Sequence, residues 1–190
     1  MKWHVWAAAA LMAGMAGSGM AAGAHAPLQL FGTPLAGATR PSLRQVLKAH
    51  GMVATREDDR YWADTYDPGS TLEGADAFNV GYVEATGRFA NATYRFPAFM
   101  DTGLVARVVT MVQAKYGPPS SRTGRVELGP VRARWDFPDG MRIEVSRDWP
   151  DTTTYLRFED REATRVENAE MAAEEQRAAR QQAVRQDSAY

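Results

Sequence analysis

The sequence predicts an α+β fold, in which two α-β-β-β units form an antiparallel sheet of about six strands with both helices on one face, followed by a charged C-terminal helix. Three observations support this fold class. Two amphipathic segments end at a glycine, three strand-like runs follow each segment, and the end of the chain is rich in Glu, Gln and Arg. We expect one domain over residues 25–158, with repeats at residues 39–97 and 101–158, and a tail over residues 159–190.

The first helix is predicted to start after Thr39, where Thr-Arg-Pro-Ser combines a capping residue with a proline in the first turn. Apolar residues recur on one face from Leu43 onward, and Gly51 ends the pattern. The second helix is predicted between Asp101 and Gly117, and its valine-rich face is longer and more apolar. We expect both helices to cover the same side of the sheet.

Strand-like runs rich in β-branched and aromatic residues follow each helix. They cover residues 53–66, 78–84 and 89–96 in the first half, and residues 131–137, 141–147 and 153–158 in the second half. In the run 141–147 apolar and polar residues alternate, as in an antiparallel strand with one buried face. We therefore expect the other face of the sheet to be open to solvent or to a partner.

Residues 1–24 are predicted to be a secretory signal peptide. Lys2 precedes an apolar run that ends in small residues and is too short and too weakly apolar for a transmembrane helix. Cleavage is expected after Ala24, with Ala26 as the alternative, which Pro27 disfavours. Because Arg far outnumbers Lys and no cysteine can carry a lipid, we expect a bacterial periplasmic protein, or alternatively a secreted one, with no membrane span after cleavage.

The tail, residues 159–190, contains no Leu, Ile, Phe or Trp. Its helix propensity is high, but like charges four residues apart, such as Glu170 and Glu174, weaken an isolated helix. We expect an exposed, partly frayed helix or a disordered segment. Docking of this helix on a partner is the alternative.

The composition excludes several classes of function. The chain of 190 residues has no cysteine, which excludes disulfides, thiolate zinc sites and cysteine nucleophiles. Its 22 Lys and Arg residues nearly balance 23 Asp and Glu residues, giving a net charge of -1, so nucleic acid is not an expected partner. The sequence contains no phosphate-binding glycine loop and no calcium loop. We expect no cofactor, no metal site and no catalytic residue.

The residues expected to bind a partner are arginines and aromatic residues on or near the strands. These residue types dominate protein interfaces, because Tyr and Trp bury a large area at a small entropic cost and Arg binds carboxylates through two donors. The candidates are Arg60, Tyr61, Arg132, Arg134, Arg142 and Trp149.

Alternation assigns faces to the run 131–137. The odd-numbered residues, Trp135 among them, share one face that we expect in the core, whereas Arg132 and Arg134 lie on the other face. The alternative is a face that is merely kept soluble by paired charges, for example Arg142 with Glu144.

This organisation resembles the β-lactamase-inhibitor-protein-like superfamily over residues 30–158. The resemblance is carried by the tandem α-β-β-β units, the helix ends Ala49-His50-Gly51 and Lys115-Tyr116-Gly117, and one strand tryptophan in each half, Trp62 and Trp135. It implies binding of other proteins through an exposed concave sheet, as in the periplasmic inhibitors and small outer-membrane assembly lipoproteins of that superfamily. This chain departs from them because it has neither disulfides nor a lipid-bearing cysteine.

We therefore expect a non-enzymatic protein-binding module of the cell envelope that acts through the exposed sheet face, as an inhibitor, an immunity-type protein or an envelope-assembly accessory. Two alternatives stay open. One is a carrier of a small apolar ligand, in a pocket lined by Phe96, Phe99, Met100 and Met111. The other is a hydrolase that uses Glu144 and Asp148 as paired carboxylates.

Overall fold

The structure is a computed structural model and describes residues 27–187. The predicted signal peptide lies outside these residues. Along the described range the elements are β1 Gln29–Leu30, β2 Thr33–Pro34, α1 Arg40–Ala49, β3 Val53–Arg56, β4 Ala63–Asp67, β5 Ala77–Tyr82, β6 Phe89–Phe96, α2 Leu104–Tyr116, β7 Ser121–Arg125, β8 Leu128–Asp136, β9 Met141–Arg147, β10 Thr154–Asp160 and α3 Arg161–Asp187. Within this range no helix combines the length and the hydrophobicity needed to cross a membrane.

Eight strands form one antiparallel sheet in the order β3-β4-β5-β6-β10-β9-β8-β7, and β1 pairs with β2 in a separate small sheet. Each half of the chain contributes a four-stranded meander that follows its own helix. The last strands of the two halves, β6 and β10, pair at the centre, with Tyr94 opposite Leu156. The combination of helices with one large antiparallel sheet is as predicted, but the sheet has eight strands instead of about six.

The two strands that the prediction did not separate or identify, β3 and β7, have no buried residues. All five residues of β7 are exposed, and so are all four residues of β3, which the prediction had joined to β4 in one run. These two strands are the edges of the sheet. An edge strand without a buried face lacks the alternation that identifies strands in a sequence.

The helices α1 and α2 pack on one face of the sheet and share a hydrophobic core with it, as predicted. Thr39 forms a capping box at the start of α1, whose Leu43 and Leu47 are fully buried. Four valines of α2 are buried against the sheet. Trp135 lies in this core, and its indole Nε1 donates a hydrogen bond to the carbonyl oxygen of Gly117 at 2.8 Å.

The helix α3 covers part of the opposite face, which was expected to be open. Ala163, Thr164 and Glu167 in its first turns are buried against the central strands. Thr164 Oγ1 donates a hydrogen bond to the carbonyl oxygen of Ala90 at 2.9 Å. The expectation of an exposed tail is wrong for these turns, because Ala, Thr and Glu make the contact instead of large apolar residues. After Glu170, the helix is exposed through residue 186.

Gly81 on β5 makes room for α3. A Cβ atom at this position would overlap Glu167 Oε1 and would lie 2.7 Å from Asn91 Nδ2. The strand backbone can therefore approach the helix side chain only because position 81 has no side chain.

Candidate binding surface

Three of the six predicted residues lie together on the open face of the sheet. Arg132 and Arg134 project from β8 and Arg142 from β9, and each alternates with buried residues of its strand, as predicted. Strand pairing places Arg134 opposite Glu144, and Glu144 opposite Arg157 on β10. A row of charged side chains thus crosses the second half of the sheet.

Carboxylates of neighbouring strands hold these arginines. The two oxygens of Glu144 lie 2.6 Å from Arg134 Nε and 3.4 Å from Arg132 Nε. Arg142 Nε lies 2.7 Å from Asp136 Oδ1, so Arg142 pairs with this residue rather than with Glu144 as the alternative had suggested. The hydrogen bond to Glu144 also raises the pKa of Arg134, which keeps the guanidinium charged.

This pairing leaves donors available. Arg134 forms its hydrogen bond to Glu144 through Nε, and neither η nitrogen of Arg134 or Arg132 donates a hydrogen bond to another residue in the range 27–187. A guanidinium that is already held in place loses little conformational freedom when it binds a second acceptor. Arg134 can therefore offer both η nitrogens to a partner at a small entropic cost, and Arg132 can offer Nη1, since its Nη2 lies 3.9 Å from Asp148 Oδ1.

Exposed apolar side chains lie on two linked loops at one end of the sheet. Residues 97–103 connect β6 to α2, residues 148–153 connect β9 to β10, and the backbone N–H of Met100 donates to Thr152 Oγ1 at 3.2 Å. Phe99 is 92% exposed, Met100 87% and Trp149 46%. Phe99 and Met100 also have positive φ angles, 42° and 75°. Such conformations are uncommon for residues other than glycine and concentrate at functional sites.

The loops adjoin the arginines of β8. Arg132 Nη2 lies 3.9 Å from an Oδ1 atom of Asp148, the residue that precedes Trp149. We name the combined area the loop-arginine surface, and define it as Phe99, Met100, Trp149, Arg132 and Arg134.

The other two predicted residues, Arg60 and Tyr61, lie far from this surface. They belong to the connection between β3 and β4, at the opposite edge of the sheet from β8. Arg60 pairs with Asp58 at 2.6 Å, and its hydrogen bonds lower the pKa of Asp58 to about 2. The Tyr61 ring packs against the Arg56 guanidinium, whose Cζ atom lies 4.5 Å from the ring centroid.

Arg147 supports the exposed loop from inside the protein. Its side chain is fully buried and donates hydrogen bonds to the carbonyl oxygens of Thr102, Val126 and Gly129 at 2.7, 2.9 and 2.7 Å. The bond to Thr102 ties β9 to the loop that carries Phe99, and the other two hold the turn between β7 and β8. No local sequence pattern indicated this role, because its acceptors come from distant parts of the chain.

The carboxylates of the hydrolase alternative have other contacts. Glu144 is held between two arginines, and Asp148 is exposed on its loop. The fully buried Asp64 accepts hydrogen bonds from Arg44 Nε and Nη2 at 2.8 Å each. Among residues 27–187, no group of three or more His, Asp or Glu side chains is placed to hold a metal ion.

The pocket residues of the carrier alternative are divided between two places. Met111 and Phe96 line cavities beside α2, on the helix side of the sheet. Phe99 and Met100 do not line these cavities and belong to the exposed loop instead. Their position could have been inferred from the sequence, because Pro97 and Asp101 flank them with loop-forming residues.

Comparison with known proteins gives little that is similar. No family model matches the chain, and no curated protein matches it. The chain is similar to the crystal structure of a DUF4309 family protein (YjgB) from Bacillus subtilis subsp. subtilis str. 168, with 14% sequence identity and a TM-score of 0.41. The match covers 72% of this chain and 87% of that chain. The superfamily suggested by the sequence is not found by these comparisons.

Proposed function

We propose that the protein is a non-enzymatic protein-binding module of the periplasm, or alternatively of the extracellular medium, and that its partner docks on the loop-arginine surface. One observation carries this proposal. Phe99, Met100 and Trp149 are exposed on two linked loops, and Asp148, which precedes Trp149, lies 3.9 Å from Arg132, one of the two arginines that Glu144 holds in place.

The residue types favour an interface. Covering an exposed Phe or Met side chain contributes roughly 1.5–3 kcal/mol, and Trp and Arg are the residues most enriched among those that dominate binding energy. Phe99 and Met100 are neighbours in sequence and Trp149 lies on the adjoining loop, so one partner element could cover all three.

The charges around the loops indicate a protein partner rather than a lipid surface. Asp101, Asp148 and Asp151 flank the apolar side chains. A hydrogen bond from Arg107 lowers the pKa of Asp101, and hydrogen bonds from Thr153 lower that of Asp151, so both carboxylates are charged. Since Asp101 pairs with Arg107 and Asp148 lies near Arg132, the area has no excess of positive charge that would attract an anionic membrane. A partner with an apolar pocket, basic residues at its rim and an acidic patch for Arg132 and Arg134 would be complementary.

The resemblance of the sequence to the β-lactamase-inhibitor-protein-like superfamily supplies the candidate roles, namely inhibitor, immunity-type protein or envelope-assembly accessory. In this proposal the contact involves the outer face of β8 and the adjoining loops, while α3 occupies part of the other half of that face.

Affinity capture from an envelope extract, with chemical cross-linking, tests the proposal. A protein with Phe99→Ser and Trp149→Ala should lose the partner that the unchanged protein captures in stoichiometric amount. Val53→Ser on the edge strand β3 is the matched control, because it removes an exposed apolar side chain at the opposite edge of the sheet, and it should capture the partner normally.

Charge reversal gives an independent test of the same surface. The double change R132E/R134E should abolish capture while far-ultraviolet circular dichroism stays unchanged, whereas Arg60→Glu at the opposite edge should have no effect. Normal capture by folded F99S/W149A protein would rule out the loop-arginine surface as the docking site. If the unchanged protein captures nothing, the protein-binding function itself is contradicted.

A further inference from the structure

An apolar cavity lies on the helix side of the sheet, where the two halves of the chain meet. It has a volume of about 290 Å³ and opens between α2, the β1–β2 hairpin and the loop 68–76. Tyr94 on β6 and Leu156 and Phe158 on β10 line it from the centre of the sheet, and Phe31 and Met111 line it from the hairpin and the helix.

A second cavity, of about 410 Å³, continues the first along α2. The two share Leu72 and Met111, and the second reaches Leu104 in the first turn of the helix. From Leu104 to Lys115 the helix axis extends roughly 17 Å. We name the two cavities together the seam groove. Its length and its apolar lining suit an elongated apolar molecule.

The two ends of the seam groove differ in charge. Lys115 lines the first cavity, its ammonium lies 5.1 Å from the Tyr116 ring centroid, and it forms no ion pair with another residue of the described range. At the other end Arg107 is paired with Asp101, and Glu73 also lines the second cavity. Only the end at Lys115 therefore favours an anion.

Tyr94 provides a hydrogen-bond donor inside the first cavity. The residue is 3% exposed, and its hydroxyl forms no hydrogen bond with any residue in the range 27–187. Burial raises the pKa of Tyr94, so the hydroxyl keeps its proton. The hydroxyl is therefore available to donate a hydrogen bond to an acceptor atom of a ligand in the cavity.

The hairpin wall of the groove is held in an uncommon conformation. Phe31 has a positive φ of 51°, and its ring stacks on the ring of His50 with centroids 4.5 Å apart. Residues in such conformations are concentrated at sites that clamp ligands.

We propose that the seam groove binds a fatty carboxylate. The carboxylate lies at the Lys115 end. One of its oxygens can pair with the ammonium, and the other can accept a hydrogen bond from the Tyr94 hydroxyl. The alkyl chain runs past Leu72 and Met111 toward Leu104. This ligand class follows from one free cation, one unused donor and a continuous apolar lining. The site is separate from the loop-arginine surface.

Isothermal titration with dodecanoate and with dodecanol, below the concentration at which dodecanoate forms micelles, tests the proposal. Dodecanoate should bind one molecule per chain. Lys115→Gln and Tyr94→Phe should each weaken dodecanoate binding about tenfold or more, as expected for the loss of one hydrogen bond to a charged group. Dodecanol binding should be insensitive to Lys115→Gln. Lys48→Gln, in the last turn of α1 and away from the groove, is the matched control.

Filling the groove tests the location of the alkyl chain. Met111→Trp should abolish binding of both ligands, while Met111→Ala, which leaves the groove open, should retain it; thermal unfolding of both variants verifies that they are folded. The proposal is overturned if dodecanoate neither binds nor raises the unfolding temperature. It is equally overturned if Lys48→Gln weakens binding as much as Lys115→Gln, or if folded M111W protein binds dodecanoate normally. None of these changes touches the loop-arginine surface, so partner capture is tested independently.

Discussion

The carboxylate of Glu167 on α3 accepts a hydrogen bond from the side-chain amide of Asn91 on β6, with Oε2 2.5 Å from Nδ2. The contact lies over Gly81 and is buried. Burial raises the pKa of Glu167 to about 7, and the nearby Glu170 adds to this rise, whereas the charge of Arg157 and the hydrogen bond from Asn91 oppose it. The attachment of α3 to the sheet therefore depends on pH.

The direction of this dependence follows from the two pKa values. Glu167 titrates near 4.5 in the unfolded chain and near 7 in the folded protein, so the folded state binds the proton more tightly. The contribution of Glu167 to stability is greatest below about pH 4.5, decreases as the pH rises to 7, and is lowest above it. Glu167→Gln, which is uncharged at every pH, should therefore raise the free energy of unfolding by up to about 3 kcal/mol at pH 8 and leave it nearly unchanged at pH 4.

Urea unfolding of both proteins at the two pH values measures this difference. Glu174→Gln on the exposed part of α3 is the control and should have no pH-dependent effect. A difference between E167Q and the unchanged protein that is the same at pH 4 and pH 8 would mean that Glu167 titrates at its ordinary value.

Gly81→Ala should lower the free energy of unfolding by about 1–3 kcal/mol, because the added Cβ would overlap the Glu167 carboxylate. The same change in a Glu167→Ala background should cost less, since the closer of the two overlapping side chains is gone and only the overlap with Asn91 remains. A double-mutant cycle measured by urea unfolding gives the coupling between the two positions. Additive costs would show that the backbone of β5 does not need this close approach.

Truncation separates the packed and exposed parts of α3. A chain that ends at Ala173 should unfold with the same free energy as the full chain, because residues 174–186 are exposed. A chain that ends at Asp160 should lose about 2 kcal/mol or more at pH 5, since it loses the buried Ala163 and the hydrogen bonds from Thr164 and to Glu170. Equal stability of the two truncated chains would contradict the packing of the first turns.

Arg147→Met should lower the free energy of unfolding by roughly 3 kcal/mol or more, because four part-buried hydrogen bonds to backbone carbonyl oxygens are lost. Hydrogen exchange should also accelerate around Thr102 and in the turn between β7 and β8. Arg122→Met is a matched control, since Arg122 is exposed on the edge strand β7. Unchanged exchange around Thr102 in the R147M protein would mean that the loop 97–103 is held by other contacts.

Which side chains of β8 and β9 face the core could be predicted from the sequence. In β8 and β9 alternation places Trp135 and Val145 in the core and Arg132 and Glu144 outside, because a strand with one buried face must alternate. The burial of Glu167 could not be predicted in this way. It depends on Asn91 and on the missing side chain at position 81, which become neighbours only in the folded chain.

The sequence predicted the types of residue at the candidate site, but not which of them lie together in the folded chain. Arg132, Arg134 and Arg142 lie on one face of the sheet, and Arg132 approaches Asp148, the residue that precedes Trp149. Arg60 and Tyr61 lie at the far edge, because β3 and β8 are near opposite ends of the sheet. The pattern of residues within one strand does not reveal the order of strands in the sheet, so this separation could not be predicted. Phe99 was expected to line an apolar pocket and is exposed instead, although Pro97 and Asp101 beside it already indicated a loop.

The pairing of β6 with β10 joins the two halves of the chain into one sheet. Both strands come last in their half, and they pair antiparallel. An antiparallel contact between equivalent elements is the arrangement that a two-fold axis produces between identical subunits. Here a single polypeptide contains that arrangement, so the two sides need not stay identical. The helix α3 packs mainly on β5 and β6 of the first half and also contacts β10, whereas Arg132 on β8 stays exposed. A symmetric homodimer could not have this asymmetry between its halves.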